Sequence, residues 1–234
     1  LALLSIFLAS VFGITVGVIS AVKHYSILDY ISMFFALAGV SLPIFWLALM
    51  LILFFSVQLG WLPVSGRIDI LVNLKDITGF YIFDSIITGN WEAFLSSVKH
   101  IILPAISLAV GSTALIARMT RSSMLEVINQ NYINTARAKG LKEKVVIVKH
   151  ALKNAFIPVL TIIGLQLGRL LGGAVLTETI FSWPGVGNYI VSAIKSSDYP
   201  VVQAGVILIA SSFVLINLLV DILYAFLDPR IRYN

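Results

Sequence analysis

Five long runs of apolar residues dominate the chain, with polar segments between them. They cover roughly residues 1–22, 31–56, 101–119, 157–180 and 204–227. An α-helix needs about 20 apolar residues to cross the hydrocarbon core of a bilayer, so the pattern predicts five membrane spans. Pro43 lies inside the second, where a kink is tolerable if neighbours satisfy the freed carbonyl. The third run is the weakest by length: it meets Arg118 early, and its helix is expected to continue into water.

Composition agrees with this pattern. The chain is 59% apolar and only 12% charged, about half the charge of an ordinary soluble domain, which together with the five runs argues against a very apolar soluble core. There is no cysteine, which excludes disulfides, thiol nucleophiles and Cys-ligated metals. The net charge is +5. Most of it sits in one stretch, where Arg118, Arg121, Arg137, Lys139, Lys142, Lys144, Lys149 and Lys153 face only Glu126 and Glu143, 8 − 2 = +6. Basic loops between spans stay in the cytoplasm, a better account of the high pI than nucleic-acid binding. Parity then puts the 23–30 turn (Lys23) and the C-terminus (Arg230, Arg232) inside. Residues 57–100 and 181–203 fall outside, with Trp61, Trp91 and Trp183 suited to an interfacial belt. The same parity starts the chain outside at Leu1, without a charged leader. It therefore predicts an N-terminally truncated chain whose missing first span runs from inside to outside.

The basic stretch contains NYINTARAKGLKEKVVIVKHALKNAFIP. It reads as two short helices, one over about 131–139 and one from Lys142 into Phe156, with Gly140 between them as a positive-φ terminator. Val145, Val148, Leu152 and Phe156 recur on one helical face, with Lys142, Lys149 and Lys153 in a basic row beside it. Such a helix lies against a membrane or a bundle with its lysines in water. Periodicity alone describes an ordinary amphipathic linker equally well.

The run YINTARAKGL, followed by KHALKNA and Pro158, resembles the Glu-Ala-Ala loop of ABC-importer permeases. It is similar, more narrowly, to the oligopeptide/dipeptide/nickel permease family. SLPIFWLALMLILFF, LGWLPVSGR, LPAISLAVGSTALIARMTRSSMLEV, IGLQLGRLLGGAVLTETIFSWPGVGNYIVSAI and DYPVVQAGVILIASSFVLINLLVDILYAFLDPRIR extend the likeness over essentially the whole chain. The resemblance implies an all-α, polytopic, type I (MetI-like) permease bundle, normally of six spans. Residues 1–234 would form one permease domain, with 120–156 as a cytoplasmic coupling loop that docks on an ATPase subunit. By position, Asn134, Thr135 and Ala136 stand where the Glu-Ala-Ala triplet would be, and Gly140 matches its glycine. The glutamate and the first alanine of the triplet are absent, and Lys153 replaces a proline common in the wider superfamily. The implied coupling residues are Asn134, Thr135, Ala136, Arg137, Ala138, Lys139, Gly140 and Leu141. Ala136 and Ala138 would permit close approach to a groove, and Arg137 and Lys139 would pair with partner acids.

Within the spans, Gly164, Gly168 and Gly172 recur every four residues, spacing that packs helices closely. The sharper reading makes this face a moving interface with a second permease. Arg169 lies mid-span, where a charge costs at least about 2.5 kcal/mol; it is expected to face the bundle interior or a watery path, and reads either as a pathway or gating group or as a member of a buried structural pair. Glu178, near the outer end of the same helix, reads either as a pathway or gating group or as an interfacial carboxylate. Asp221 reads as an ion-pair partner or a helix cap. Ser182, Trp183, Pro184 and the glycines at 185 and 187 form a turn, with an outer helix expected over about 188–195.

No phosphate-binding Gly-rich loop occurs, and His24, His100 and His150 are scattered. The expectation is a non-enzyme with no catalytic residue, metal or cofactor of its own, ATP and Mg being held by partner subunits. Its function would be translocation of di- or oligopeptides across the bacterial inner membrane by alternating access. A second permease, two ATPases and an extracytoplasmic binding protein would complete the machine. The alternatives are a nickel-importer permease, an ion-driven secondary transporter and a non-transporting scaffold. The inverted repeats and paired broken helices that favour a secondary transporter are not evident in the sequence.

Overall fold

An apolar run without charges satisfies its own backbone most completely as a helix. In the computed structural model every regular element is helical. It describes residues 1–227, apart from the side chains of residues 172, 173, 221 and 223–227. The elements are α1 (Ala2–Val22), α2 (Ile27–Ser41), α3 (Ile44–Leu51, continued by a π-helical stretch Ile52–Gln58), α4 (Tyr81–Ile87), α5 (Trp91–Ile128) and α6 (Asn131–Ala138). Then follow α7 (Glu143–Val145, continued by a π-helical stretch Val146–Leu152), α8 (Lys153–Gly173), α9 (Val175–Ile180), α10 (Val186–Lys195) and α11 (Tyr199–Leu227). Arg230 and Arg232 lie outside the described residues, as does the side chain of Asp221.

Four helices are long and apolar enough to cross a membrane, and a fifth crossing is reached if a bent pair counts as one. That pair corrects the second expected span: α2 and the helix over Ile44–Gln58 meet at 104°. Pro43 lacks an N–H and pushes the residue before it out of the helical region; its own ψ of 130° is extended. The third span is the longest rather than the weakest, because α5 runs 38 residues from Trp91. Its start is capped by the Asn90 side chain, which accepts the Ala93 N–H at 3.0 Å. The fourth expected span divides at Ala174, just after two glycines that favour helix poorly, so Glu178 sits on α9 and not on the helix of Arg169. The expected second loop helix does not stop at Phe156: helix continues from Glu143 through Leu171.

The chain forms two compact units. One comprises Leu1–Ser5, Leu42–Leu108 and Gly172–Ala210. Phe181, Leu103 and Ala48 are buried together there, against Phe55, Leu62 and Ile180. The Phe181 carbonyl accepts the N–H of Gly66 at 2.9 Å and ties the long loop after α3 to this core. In that loop the Asp84 carboxylate collects N–H groups of Ile77, Thr78 and Gly79 and the Thr78 hydroxyl. The Arg67 guanidinium lies over the Tyr81 ring at 3.9 Å and near the Trp183 ring at 5.9 Å.

The other unit comprises Ile6–Ser41, Ala109–Leu171 and the chain from Ser211. A Cβ on Gly13 would stand 2.8 Å from Ile116 Cβ, and one on Gly17 would stand 2.5 Å from Thr120 Cβ. Ala21 is buried with Met124. Steps of four on both helices advance together, so α1 and α5 run parallel with nearly touching backbones. Gly39 meets Val110 while Asp29 meets Arg121, so α2 runs antiparallel to α5. Gly164 meets Val220 and Gly168 meets Phe213, which makes α8 and α11 an antiparallel pair.

Candidate functional site

The basic stretch is built around α6. Gln130 precedes it in an extended conformation, and Gly140 ends it at φ +74°. The Gly140 N–H bonds the Arg137 carbonyl at 2.9 Å and the Leu141 N–H bonds the Ala136 carbonyl at 3.4 Å. Those two bonds form the Schellman closure that a left-handed glycine permits. Arg137 reaches across the turn to Glu143, with Nη2–Oε1 at 2.8 Å and Nε–Oε2 at 3.2 Å. The Asn154 amide donates to the Tyr132 hydroxyl at 2.7 Å and ties α6 to the start of α8.

One face of α6 is consumed inside the chain. Ile133 and Ala136 are buried with Ala21, Met124, Val146, Ile147, Ala151 and Ala155. The opposite face presents Asn134, Thr135, Arg137, Ala138, Lys139, Gly140 and Leu141, all exposed. Ala136 therefore departs from its expected place: its small side chain lets α6 approach its own bundle, not a partner's groove. Arg137 departs in part, since a carboxylate of the same chain already holds it. The expected apolar face of the second helix is also displaced. Val145 and Val148 are exposed, while Val146, Ile147 and Ala151 point inward, because the π-helical turn rotates the register. Lys142, Lys149 and Lys153 are exposed as the pattern required.

The membrane candidates fall in different places. Gly168 is buried against Phe213, so α11 of the same chain occupies that part of the glycine stripe. Gly172 lies in the last turn of α8. Arg169 is exposed on the surface of this chain, and among the described residues no carboxylate pairs with it. Glu178 accepts the Asn188 N–H at 3.0 Å in the first turn of α10. Gly185, at the cap position of that helix, has no side chain to offer, and a Cβ there would stand 2.4 Å from the Glu178 carboxylate. Glu178 thus serves as a remote N-cap, a favourable place for a negative charge.

Comparison with known proteins identifies the setting of these features. Residues 13–233 match the family described as binding-protein-dependent transport system inner membrane component. The chain belongs to that family. Among curated relatives, it is 56% identical over 233 residues to the dipeptide transport system permease protein DppB of Alkalihalophilus pseudofirmus, covering 100% of this chain and 70% of the relative. It is 53% identical to the di/tripeptide transport system permease protein DppB of Pseudomonas aeruginosa, covering 100% and 70%. The dipeptide transport system permease protein DppB of Escherichia coli K12 is also 53% identical, covering 97% and 68%. The chain is thus an all-α, multi-pass membrane component of a binding-protein-dependent ABC importer.

Three polar constructions of this permease escaped the sequence reading. The first is the ion pair of Arg121 with the buried Asp29, at 2.7 Å. Its signal is present, since Asp29 is a lone acid where an apolar run begins, but charge counting treats Arg121 only as one of eight loop cations. The Asp84 niche and the Arg67 cation–π contact join residues far apart in an irregular loop, where no periodicity exists to announce them.

Proposed function

We propose that this permease moves short peptides inward across the bacterial inner membrane, driven by ATPase subunits that grip the exposed face of α6. The observation that carries the reading is the division of α6 into two faces. Ile133 and Ala136 anchor it to the ends of α1, α5 and α8, and Asn134, Thr135, Ala138, Lys139 and Leu141 are exposed on the other face. A helix held so firmly on one side transmits a push from the other as a rigid lever. The ends of α1, α5 and α8 then move together, which is what alternating access requires. The 118–153 stretch lies on the cytoplasmic side in this reading, in accord with its +6 charge.

A homologous second permease encloses the path, two ATPases hold ATP and Mg, and an extracytoplasmic binding protein delivers substrate; this chain supplies no cofactor. The relatives' names, dipeptide and di/tripeptide transport, favour peptides over nickel. The test is reconstitution in vesicles with the partner subunits. Dipeptide uptake that requires ATP and binding protein is expected. Uptake that persists without ATPase subunits and follows an ion gradient overturns the reading.

A further inference from the structure

Asp29 is buried at the start of α2, with 2% of its surface exposed. Arg121 of α5 grips it with both prongs, Nε at 2.7 Å and Nη2 at 2.8 Å. The Ser20 hydroxyl of α1 donates to the same carboxylate, and the Tyr25 N–H adds a bond at 3.1 Å. Tyr25 is held at φ +61°, a left-handed conformation that a non-glycine residue keeps only when its surroundings impose it. Ser26 caps α2 by accepting the Asp29 N–H at 3.3 Å. Three chain segments (α1, the α1–α2 turn and α5) thus converge on one carboxylate.

The position is as telling as the bonding. Ser20 precedes Ala21, and Arg121 lies one turn before Met124; Ala21 and Met124 are two of the residues that seat Ile133 and Ala136 of α6. A force on α6 therefore reaches α1 and α5 through apolar contacts immediately beside the ion pair. Apolar contacts slide. A bidentate charged pair is directional, and breaking it strands a buried charge.

We propose that Asp29 and Arg121 are positioning residues for transport, carrying the movement of α6 into the start of α2 so that the α1–α2 pair turns with α5. This rests on the importer reading above. The clasp keeps α2 from lagging when the ATPases close. Without it, ATP hydrolysis continues but moves the α1, α5 and α8 ends without carrying α2.

The test uses the complete importer in vesicles, with peptide uptake and ATP hydrolysis measured in the same preparation. Asp29→Asn preserves size and removes charge, and Ser20→Ala removes one hydrogen bond and leaves the pair. Asp29→Asn is expected to keep its ATPase subunits on co-purification while peptide moved per ATP falls by roughly 2- to 30-fold, the range for mutations along a coupling route. Ser20→Ala should fall between it and the parent. Parental transport per ATP in both variants overturns the proposal. A proportional loss of uptake and hydrolysis also overturns it, since that marks a less stable permease. If Asp29→Asn does not reach the membrane, Arg121→Lys decides: lysine keeps the charge without the fork, and an unchanged ratio there rejects the clasp. The importer reading fails by a different result, a parent chain that binds no ATPase.

Discussion

Individual glycines set how closely the helices approach. Gly17 is the tightest on α1, where an added Cβ would meet Thr120 Cβ at 2.5 Å and the Ala117 carbonyl oxygen at 2.6 Å. The second contact is backbone and cannot rotate away. Gly17→Val is therefore expected to destabilise the permease by about 1–3 kcal/mol, the usual cost of overpacking. Gly111→Ala, with nothing within 4 Å of its added Cβ, is expected to leave stability unchanged or raise it by up to about 1 kcal/mol, since alanine favours a helix interior over glycine. Thermal unfolding of the two variants in detergent checks this, and equal midpoints refute it. The stripe at Gly164 and Gly168 was legible as close packing, because spacing alone reports a smooth helix face. Spacing does not report which helix covers that face, so α11 as the occupant was not legible. Glu178 shows the same boundary: its carboxylate was visible, but its task depends on Gly185 folding back to it, which no local pattern encodes.

At the scale of elements, α6 was legible almost to its ends, since Gly140 and the run before it carry their own termination chemistry. The π-helical turn Val146–Leu152 was not, because apolar spacing of three and four fits several registers and tertiary packing chose among them. Burial in that register makes Ile133 the anchor of α6. Ile133→Ala is expected to cost about 2–5 kcal/mol at this contact and to free α6 from the bundle. The readout is faster proteolysis within residues 129–142 in the assembled membrane protein, and unchanged cleavage contradicts the anchoring. The loop around α4 offers a pH test. The Thr78 hydroxyl, followed by the Thr78, Ile77 and Gly79 N–H groups, holds the Asp84 carboxyl below the usual carboxylate range, against the opposing effect of burial. A depressed folded value means the unfolded loop binds protons first as pH falls. The stabilisation is therefore complete above the unfolded value of about 3.9 and disappears as pH drops through the lower folded value. Amide exchange at Ile77, Thr78 and Gly79, corrected for its intrinsic pH dependence, should accelerate only in that acid window. In Asp84→Asn it should be fast throughout.

For the whole molecule, charge and hydropathy made the helical class and four of the five expected crossings legible, because both follow from the bilayer as solvent. The bends were not legible to the same degree: Pro43 announced a kink, but a proline in the sequence does not state an angle of 104°. Sidedness follows from the position of the +6 stretch, and the chain's own composition makes it easy to test. Residues 1–234 hold no cysteine, so each introduced thiol stands alone within them. Lys139 is exposed beside the α6 turn, and Ile70, in the loop after α3, is fully exposed at 100%. Among the described residues neither side chain makes a hydrogen bond or ion pair. In sealed right-side-out vesicles an impermeant maleimide is expected to label Ile70→Cys and to spare Lys139→Cys until the membrane is opened. The reverse pattern would put α6 on the side without nucleotide, where no ATPase can drive it. Labelling of both sites in sealed vesicles would mean that residues 70 and 139 share a side. A single crossing between them excludes that, so the crossing of α5 would have to be rejected. Over residues 71–138 the one helix long enough to cross is α5. The experiment therefore reads the crossing of α5 directly, and with it the direction in which a push on α6 enters the bundle.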